Sequence, residues 1–297
     1  MSILQIDHLT KRYRSIVAVD DLSLTVERGN VYGILGPNGS GKTTTLGIVL
    51  GIIQANEGSF SWFEGQYGQR ARHHVGALLE TPNFYPYLSA VDNLQIFAHI
   101  KKEQHPRIDE LLELVNLAHR KKSSFRTFSL GMKQRLAIAA AMIGDPQVLI
   151  FDEPTNGLDP QGIAEVRNTL LEIAARGKTI IMASHILDEV EKVCSHVAII
   201  KNGKLLATGP VGAIISNDRL IEVAAADREA LLSLLRGLSL VNRIDEENGR
   251  LTLSVDEALT AADLNRLAYE KGIVLTHLVA RPRSLESEFL EITRDID

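Results

Sequence analysis

The spacing of apolar and polar positions changes along the first part of the chain. Residues 1–35 alternate as β-strands do, and a turn at Gly29 precedes the apolar run 31–35. A glycine-rich loop follows that run, and residues 43–53 then place apolar side chains at helical spacing. The pattern predicts a strand, a loop and a helix in that order.

Helical spacing dominates the next part of the chain. Three helices are predicted to begin near Ser89, Pro106 and Ser129. Short apolar runs then alternate with helical segments, which predicts strands at 148–151, 179–183 and 196–201 and helices at about 160–175 and 187–193. This alternation is typical of a parallel sheet with helices on its faces.

The pattern changes again after Gly209 and Pro210. It predicts strands and helices in the order β-α-β-β-α-β, with a hairpin at Asn248-Gly249. That order indicates a small ferredoxin-like α+β domain. We therefore expect two domains, 1–215 and 216–297, with a helical subdomain inserted at about 80–135.

Composition and charge exclude several classes of protein. Apolar residues make up 45% of the 297 residues, but no apolar run approaches the ~18 residues of a membrane span. The single cysteine, Cys194, excludes an intramolecular disulfide, and we expect it to be packed in the interior. The net charge is −5, and residues 216–297 hold 10 basic and 16 acidic side chains. Neither domain carries the basic surface of a nucleic-acid-binding protein.

One segment matches the phosphate-binding pattern G-x-x-x-x-G-K-[ST] in full. Its glycines allow backbone N–H groups to converge on phosphate oxygens, and the following helix points its positive end at the same anion. The lysine of this pattern reaches the β- and γ-phosphates, and its hydroxyl residue ligates Mg²⁺. The segment consists of Gly36, Pro37, Asn38, Gly39, Ser40, Gly41, Lys42 and Thr43.

Two carboxylates follow the buried apolar strand 148–151. The carboxyl ends of strands are where α/β sheets place their ligands. We expect Asp152 to hold Mg²⁺ through water and Glu153 to act as the general base that polarises the attacking water.

Several further motifs, in order along residues 2–215, resemble those of the ATP-binding subunits of ABC transporters. Residues 128–135 lie where that family has the signature Leu-Ser-Gly-Gly-Gln, with Ser129 and Gly131 matching and Leu130 and Met132 departing from it. In the family this segment caps the ATP held by the opposing subunit. The resemblance implies the fold of an ABC-type P-loop ATPase, α/β in class.

The resemblance extends to single residues. Asp159 lies in a segment similar to the D-loop, which contacts the partner subunit, and His185 matches the histidine that reads the γ-phosphate. Tyr13 resembles the aromatic residue that stacks on adenine, and Thr44 completes the predicted nucleotide contacts. Glu80 stands where the family usually has a glutamine that ligates Mg²⁺, as in the subgroup that exports lantibiotics.

The resemblance implies a function, cofactors and partners. ATP and Mg²⁺ would bind between two copies, or two related chains, that close head-to-tail. Separate membrane permease subunits would use that motion for export, with this chain on the cytoplasmic face of the membrane. No nucleic-acid partner is expected.

Two other functions remain open at this point. One is an ABC-type ATPase that acts on DNA or ribosomes, although this chain has neither a coiled coil nor a second cassette. The other is a regulatory nucleotide-binding module with negligible turnover. Residues 84–87, Phe-Tyr-Pro-Tyr, are also open to two interpretations: a groove for a permease helix, or local packing.

Overall fold

The chain forms two units, each described here by itself. The computed structural model describes residues 1–79, 82–215, 218–247, 249–281 and 283–294. Backbone contacts divide the chain at residue 211, into Met1–Val211 and Gly212–Arg294.

In its described residues, the first unit combines two sheets with six α-helices of seven residues or more. Its elements in chain order are β1 (Ser2–Tyr13), β2 (Ile16–Glu27), β3 (Val31–Leu35), α1 (Lys42–Val49), β4 (Glu57–Trp62), β5 (Val75–Leu78), α2 (Ala90–Lys101), α3 (Ile108–Leu114), α4 (Leu130–Met142), β6 (Val148–Asp152), α5 (Pro160–Ala175), β7 (Thr179–Ser184), α6 (Leu187–Val193), β8 (His196–Lys201) and β9 (Lys204–Pro210). A short helix, α7 (Val211–Ile214), follows β9.

The larger sheet has the strand order β5-β6-β7-β3-β8-β9. Its first five strands are parallel, and β9 pairs antiparallel with β8. Every residue of β3, β6 and β7 is buried, as expected for strands that read as continuous apolar runs. The predicted α/β class is confirmed. The smaller sheet is antiparallel, in the order β2-β1-β4.

Most helix boundaries follow local signals in the sequence. Ser89 and Asp92 form the predicted capping box at the start of α2, and α5 and α6 match the predicted ranges. The prediction that the first helix extends to residue 53 is wrong, because α1 ends at Val49. Gly51 has φ +71°, a left-handed conformation that turns the chain out of the helix.

The second unit is a four-stranded antiparallel sheet with the predicted β-α-β-β-α-β order. Its elements are β10 (Arg219–Ala225), α8 (Arg228–Arg236), β11 (Val241–Glu247), β12 (Arg250–Val255), α9 (Ala261–Glu270), β13 (Leu275–Arg281) and a last helix, α10 (Leu285–Arg294). The strand order is β11-β12-β10-β13. Asn248, half of the predicted hairpin turn, lies outside the described residues. Leu231, Leu235 and Leu264 pack with the sheet in a core of the unit's own.

No helix in the described part of the chain is long and apolar enough to span a membrane. Cys194 is buried as a free thiol, as predicted.

Candidate nucleotide-hydrolysis site

Three adjacent strands bring the predicted catalytic residues together. In the sheet, β7 lies between β6 and β3. Glu153 follows β6, His185 follows β7, and the phosphate loop follows β3. Because the strands are parallel, these three segments leave the sheet at the same edge.

The phosphate loop approaches neighbouring backbone so closely that two of its positions require glycine. A Cβ atom on Gly36 would lie 2.2 Å from the carbonyl oxygen of Ile200, and one on Gly41 would lie 2.2 Å from that of Ala18. Gly41 also has φ +106° and is the N-cap residue of α1. The loop therefore depends on the absence of side chains at both positions.

Lys42 extends back into its own loop. Its side chain is 6% exposed, and Nζ lies 3.5 Å from Oε1 of Glu153. The same ammonium donates to the carbonyl oxygens of Gly36 at 2.8 Å and Pro37 at 3.3 Å. A buried cation held by carbonyl oxygens at a helix N-terminus is suited to bind phosphate oxygens.

Glu153 lies between Lys42 and His185. Its Oε2 is 2.8 Å from Nδ1 of His185 and accepts a longer bond, 3.4 Å, from the His185 backbone N–H. Glu153 has φ +50°, and its own N–H donates to the carbonyl oxygen of Ala183 at 2.9 Å. The left-handed conformation turns the carboxylate out of the line of β6 and toward both neighbours.

The residues available for Mg²⁺ fit a metal shared with phosphate. Asp152 is buried at the end of β6, and Thr43 is exposed in the first turn of α1. The buried Ser40 hydroxyl has no hydrogen-bond partner among the described residues, so the loop holds an oxygen available to a ligand. Groups of three or more His, Cys, Asp or Glu that could hold a metal are absent from the described ranges. Mg²⁺ typically uses one or two carboxylates and completes its shell with phosphate and water. Glu80, the remaining predicted metal ligand, lies outside the described residues.

The residues predicted to be the signature and the D-loop line a second groove. Ser129 caps α4 by accepting from the N–H of Met132 at 3.2 Å, and Asp159 caps α5 by accepting from Gly162 at 2.8 Å. Both helix starts line one groove with a volume of ≈ 610 Å³. A Cβ on Gly131 would lie 3.4 Å from Cα of Gly162, so the two helices approach closely here. The lining of this groove includes no residue of the phosphate loop.

The remaining predicted contacts are exposed or half-buried. Tyr13 ends β1 with 43% of the residue exposed, and Nζ of Lys11 lies 5.1 Å from its ring centroid. Thr44 is half-buried in the first turn of α1.

Within residues 84–87, one aromatic ring takes part in local packing and two lie exposed. Phe84 is buried, with its ring centroid 5.2 Å from that of Phe97, whereas Tyr85 and Tyr87 are 60% and 77% exposed. Buried Asn93 fixes the segment, because its side chain accepts from the Tyr85 N–H at 2.9 Å and donates to the Tyr85 carbonyl at 3.1 Å.

Sequence reasoning missed two ion pairs beside these sites. Arg135 of α4 pairs with Glu165 of α5 at 2.9 Å, and Arg167 of α5 pairs with Glu189 of α6 at 3.0 Å. The Arg135 and Glu189 side chains are 5% and 7% exposed. Arg135 and Glu189 occupy helical positions among buried apolar residues, and that placement was the signal in the sequence that these charges are buried. The sequence did not identify their partners, because the partners lie on different helices.

The site combines a largely parallel sheet with a glycine-rich loop that encloses a lysine. A carboxylate is hydrogen-bonded to a histidine beside that loop. These features define a P-loop nucleotide hydrolase. Comparison with known proteins identifies the family within that class. Residues 19–156 match the family model described as ABC transporter. Together with relatives matched over nearly the whole chain, this match shows that the chain belongs to the ATP-binding subunits of ABC transporters.

Relatives in the family match the chain over nearly its whole length. It is 37% identical over 300 residues to the bacitracin transport ATP-binding protein BcrA of Bacillus licheniformis, with 98% of this chain and 97% of the relative covered. It is 34% identical over 306 residues to the Nod factor export ATP-binding protein I of Ralstonia nicotianae, with 98% and 94% covered.

A solved relative supports the fold. The structure of cbiO1 from Clostridium perfringens, described as part of the ABC transporter complex cbiONQ, aligns with a TM-score of 0.64 at 30% identity. It covers 70% of this chain and 88% of cbiO1. The protein is thus the ATP-hydrolysing subunit of an ABC transporter. A function on nucleic acid or ribosomes is not favoured.

Proposed function

We propose that this chain hydrolyses Mg-ATP within a head-to-tail pair of cassettes and that this cycle drives export. The observation that supports the proposal most is the position of Glu153, 3.5 Å from the Lys42 ammonium and 2.8 Å from the His185 ring. Nucleotide would lie on the phosphate loop with its adenine on Tyr13. Ser129, Gly131 and Asp159 would contact the nucleotide held by the partner.

The residues divide the chemistry between them. Lys42 binds the β- and γ-phosphates, and Thr43 and Asp152 would hold Mg²⁺, which would neutralise charge on the phosphates. Glu153 accepts a proton from water as the water oxygen forms its bond to the γ-phosphorus. The bond from that phosphorus to the bridging oxygen breaks, and ADP and phosphate leave. His185 orients the Glu153 carboxylate through their 2.8 Å contact.

The separation of the two half-sites supports a paired arrangement. The groove at Ser129 and Asp159 does not include the phosphate loop. A second chain related by a two-fold axis can supply each loop to the other's nucleotide. Two copies of this chain, or this chain with a related subunit, satisfy that geometry.

Glu153→Gln tests whether Glu153 is the general base and whether two chains pair around ATP. The amide retains the shape of the side chain but cannot accept a proton, so phosphate release should fall by about 10² to 10⁴-fold. With Mg-ATP the variant should accumulate as a dimer, measured by light scattering during size exclusion. Lys42→Ala is the matched control, which should stay monomeric because it loses a phosphate contact. A Glu153→Gln protein that remains monomeric at saturating ATP would refute the paired mechanism.

We also propose a contact with membrane permease subunits on the cytoplasmic face of the membrane. ABC ATP-binding subunits work with such partners, and the exposed rings of Tyr85 and Tyr87 are suited to an apolar partner helix. Export, rather than import, is the direction suggested by similarity to proteins named for bacitracin transport and Nod factor export.

Copurification tests the permease contact. Tagged Glu153→Gln protein should recover a polytopic membrane protein in fixed stoichiometry from detergent-solubilised native membranes. Tyr85→Ala and Tyr87→Ala, added to the Glu153→Gln protein, should abolish recovery of that membrane protein. The same two substitutions in the otherwise wild-type chain should leave its ATPase rate unchanged. Recovery of only a soluble dimer, with no membrane partner, would contradict this proposal.

A further inference from the structure

Helix α5 carries an ion pair on each of two sides. Glu165 pairs with Arg135 of α4, and Arg167 pairs with Glu189 of α6. Each pair buries one charge deeply, since the Arg135 and Glu189 side chains are 5% and 7% exposed. Buried charges of this kind make their partners hard to replace, because a charge left without its partner in the interior strongly destabilises the fold.

The three helices joined in this way start at three different functional loops. Helix α4 starts after Ser129, α5 after Asp159, and α6 two residues after His185. Glu189 lies in the first turn of α6, only four residues after His185. The position of Glu189 therefore constrains where the His185 segment can lie.

The partners of the two buried charges differ in number. Arg135 also donates to the carbonyl oxygens of Val115 at 2.7 Å and Asn116 at 3.1 Å, where α3 ends. Glu189 accepts from Arg167 at 3.0 Å through Oε1, and its Oε2 has no hydrogen-bond partner among the described residues. The Arg167 contact is thus the more sensitive of the two connections.

We infer that α5 is a rigid helix that couples the position of the Asp159 loop to the position of His185. Arg167 and Glu189 are the positioning pair. The inference rests on the proposed function, in which Asp159 faces the partner's nucleotide and His185 acts on the chain's own. Movement of Asp159 on dimer closure moves α5, and the Arg167–Glu189 pair transmits that movement to the start of α6. In the single chain the His185 ring already lies 2.8 Å from the Glu153 carboxylate, and closure would adjust the position of His185 relative to that carboxylate.

Arg167→Gln is the first test, with ATPase kinetics as the readout. It should lower kcat about tenfold, because His185 loses its fixed position. It should leave KM for ATP within about twofold, because the phosphate loop and Tyr13 are untouched. Arg176→Gln is the matched control: Arg176 pairs with Glu172 on the same helix, but the two side chains are 49% and 52% exposed. This control should match the wild type.

Exchanging the charges of Arg167 and Glu189 separates a role in positioning His185 from a role in fold stability alone. The Arg167→Glu, Glu189→Arg double variant should regain most of the kcat that either single reversal loses. A wild-type kcat in folded Arg167→Gln would overturn the inference, as would a double variant that folds and stays as slow as the single ones. Failure of the wild type itself to hydrolyse ATP would instead overturn the proposed function. Unfolding followed by the fluorescence of Trp62 shows which variants are folded.

Discussion

At the scale of single residues, the site depends on backbone positions that few side chains tolerate. Gly36 and Gly41 lie against backbone carbonyl oxygens, and Glu153 adopts a left-handed conformation. The glycines were evident from the sequence, because the phosphate-binding pattern specifies them. The conformation of Glu153 was not, since it follows from the 2.9 Å bond between its N–H and Ala183 on the neighbouring strand.

Two glycines of the phosphate loop should respond differently to alanine. Gly39 and Gly41 both have positive φ, but a Cβ on Gly39 meets nothing within 4 Å, whereas one on Gly41 meets the Ala18 carbonyl oxygen at 2.2 Å. Gly39→Ala should cost about 1–2 kcal/mol of unfolding free energy, the usual cost of a strained backbone. Gly41→Ala should cost at least about 3 kcal/mol, because the steric collision adds to that strain. Urea unfolding followed by Trp62 fluorescence measures both, and equal costs would contradict the predicted collision.

The only cysteine offers a second residue-scale prediction. Burial raises the pKa of the Cys194 thiol, so thiolate is scarce in the native protein at pH 8. Cys194 should therefore react with an aromatic disulfide reagent about 100-fold or more slowly in the native state than in urea. Ser15→Cys, at an exposed position, provides the fast-reacting reference in the native chain. Rapid native labelling at Cys194 would show that the segment between α6 and β8 opens readily.

At the scale of elements, helix starts determine much of the local structure. Capping residues stand at the start of α2, α4, α5, α8 and α9. In α4 and α5 the capping residues are Ser129 and Asp159, which are also predicted to contact nucleotide. A cap satisfies free N–H groups with one side-chain oxygen, so the same helix ends present further N–H groups to a ligand.

The cap of α9 predicts a pH dependence. The Thr260 hydroxyl donates to Asp263 at 2.5 Å, and this bond lowers the pKa of Asp263 below its ordinary value of 3.8. A carboxyl with a depressed folded-state pKa contributes stability above the unfolded value and loses it as pH falls through the folded one. Asp263→Asn should therefore speed deuterium exchange in the first turn of α9 at pH 7.

The same experiment contains its own controls. The difference in deuterium-exchange rate between Asp263→Asn and the wild type should shrink as the pH falls below 3.8. Thr276→Ala, at an exposed position of β13, should leave exchange in α9 unchanged. An exchange difference that stays constant down to pH 2 would mean that the charge of Asp263 does not stabilise the cap.

At the scale of the whole molecule, each unit has a core of its own. The first unit packs β1, β2 and α1 against the large sheet around residues such as Leu46, Ile150 and Ile181. The second packs α8 and α9 against its own sheet. The proposed nucleotide site draws its described residues from the first unit alone.

Nucleotide should therefore stabilise the two units unequally. Mg-ADP at 100 times its Kd should raise the unfolding free energy of the first unit by about 2.7 kcal/mol, because it binds only the folded state. Trp62, the only tryptophan, reports that unit. Deuterium exchange in α9 reports the second unit and should not change. In Lys42→Ala, Mg-ADP should no longer stabilise the first unit. Equal stabilisation of both units in the wild type would contradict the prediction and show that the units unfold together.

The sequence by itself determined the elements and the local chemistry. Most strands, most helices and the phosphate loop follow from contiguous residues, because capping, periodicity and glycine requirements act over a few positions. The same local reasoning failed at the end of α1, where Gly51 turns the chain out of the helix.

Only the tertiary structure decided which of these segments meet. Lys42, Glu153 and His185 converge because β7 lies between β3 and β6, an order that no single segment encodes. The Arg135–Glu165 and Arg167–Glu189 pairs likewise join helices that are separate in sequence. Strand order and helix contacts depend on which apolar faces bury one another, and that is a property of the packed core as a whole.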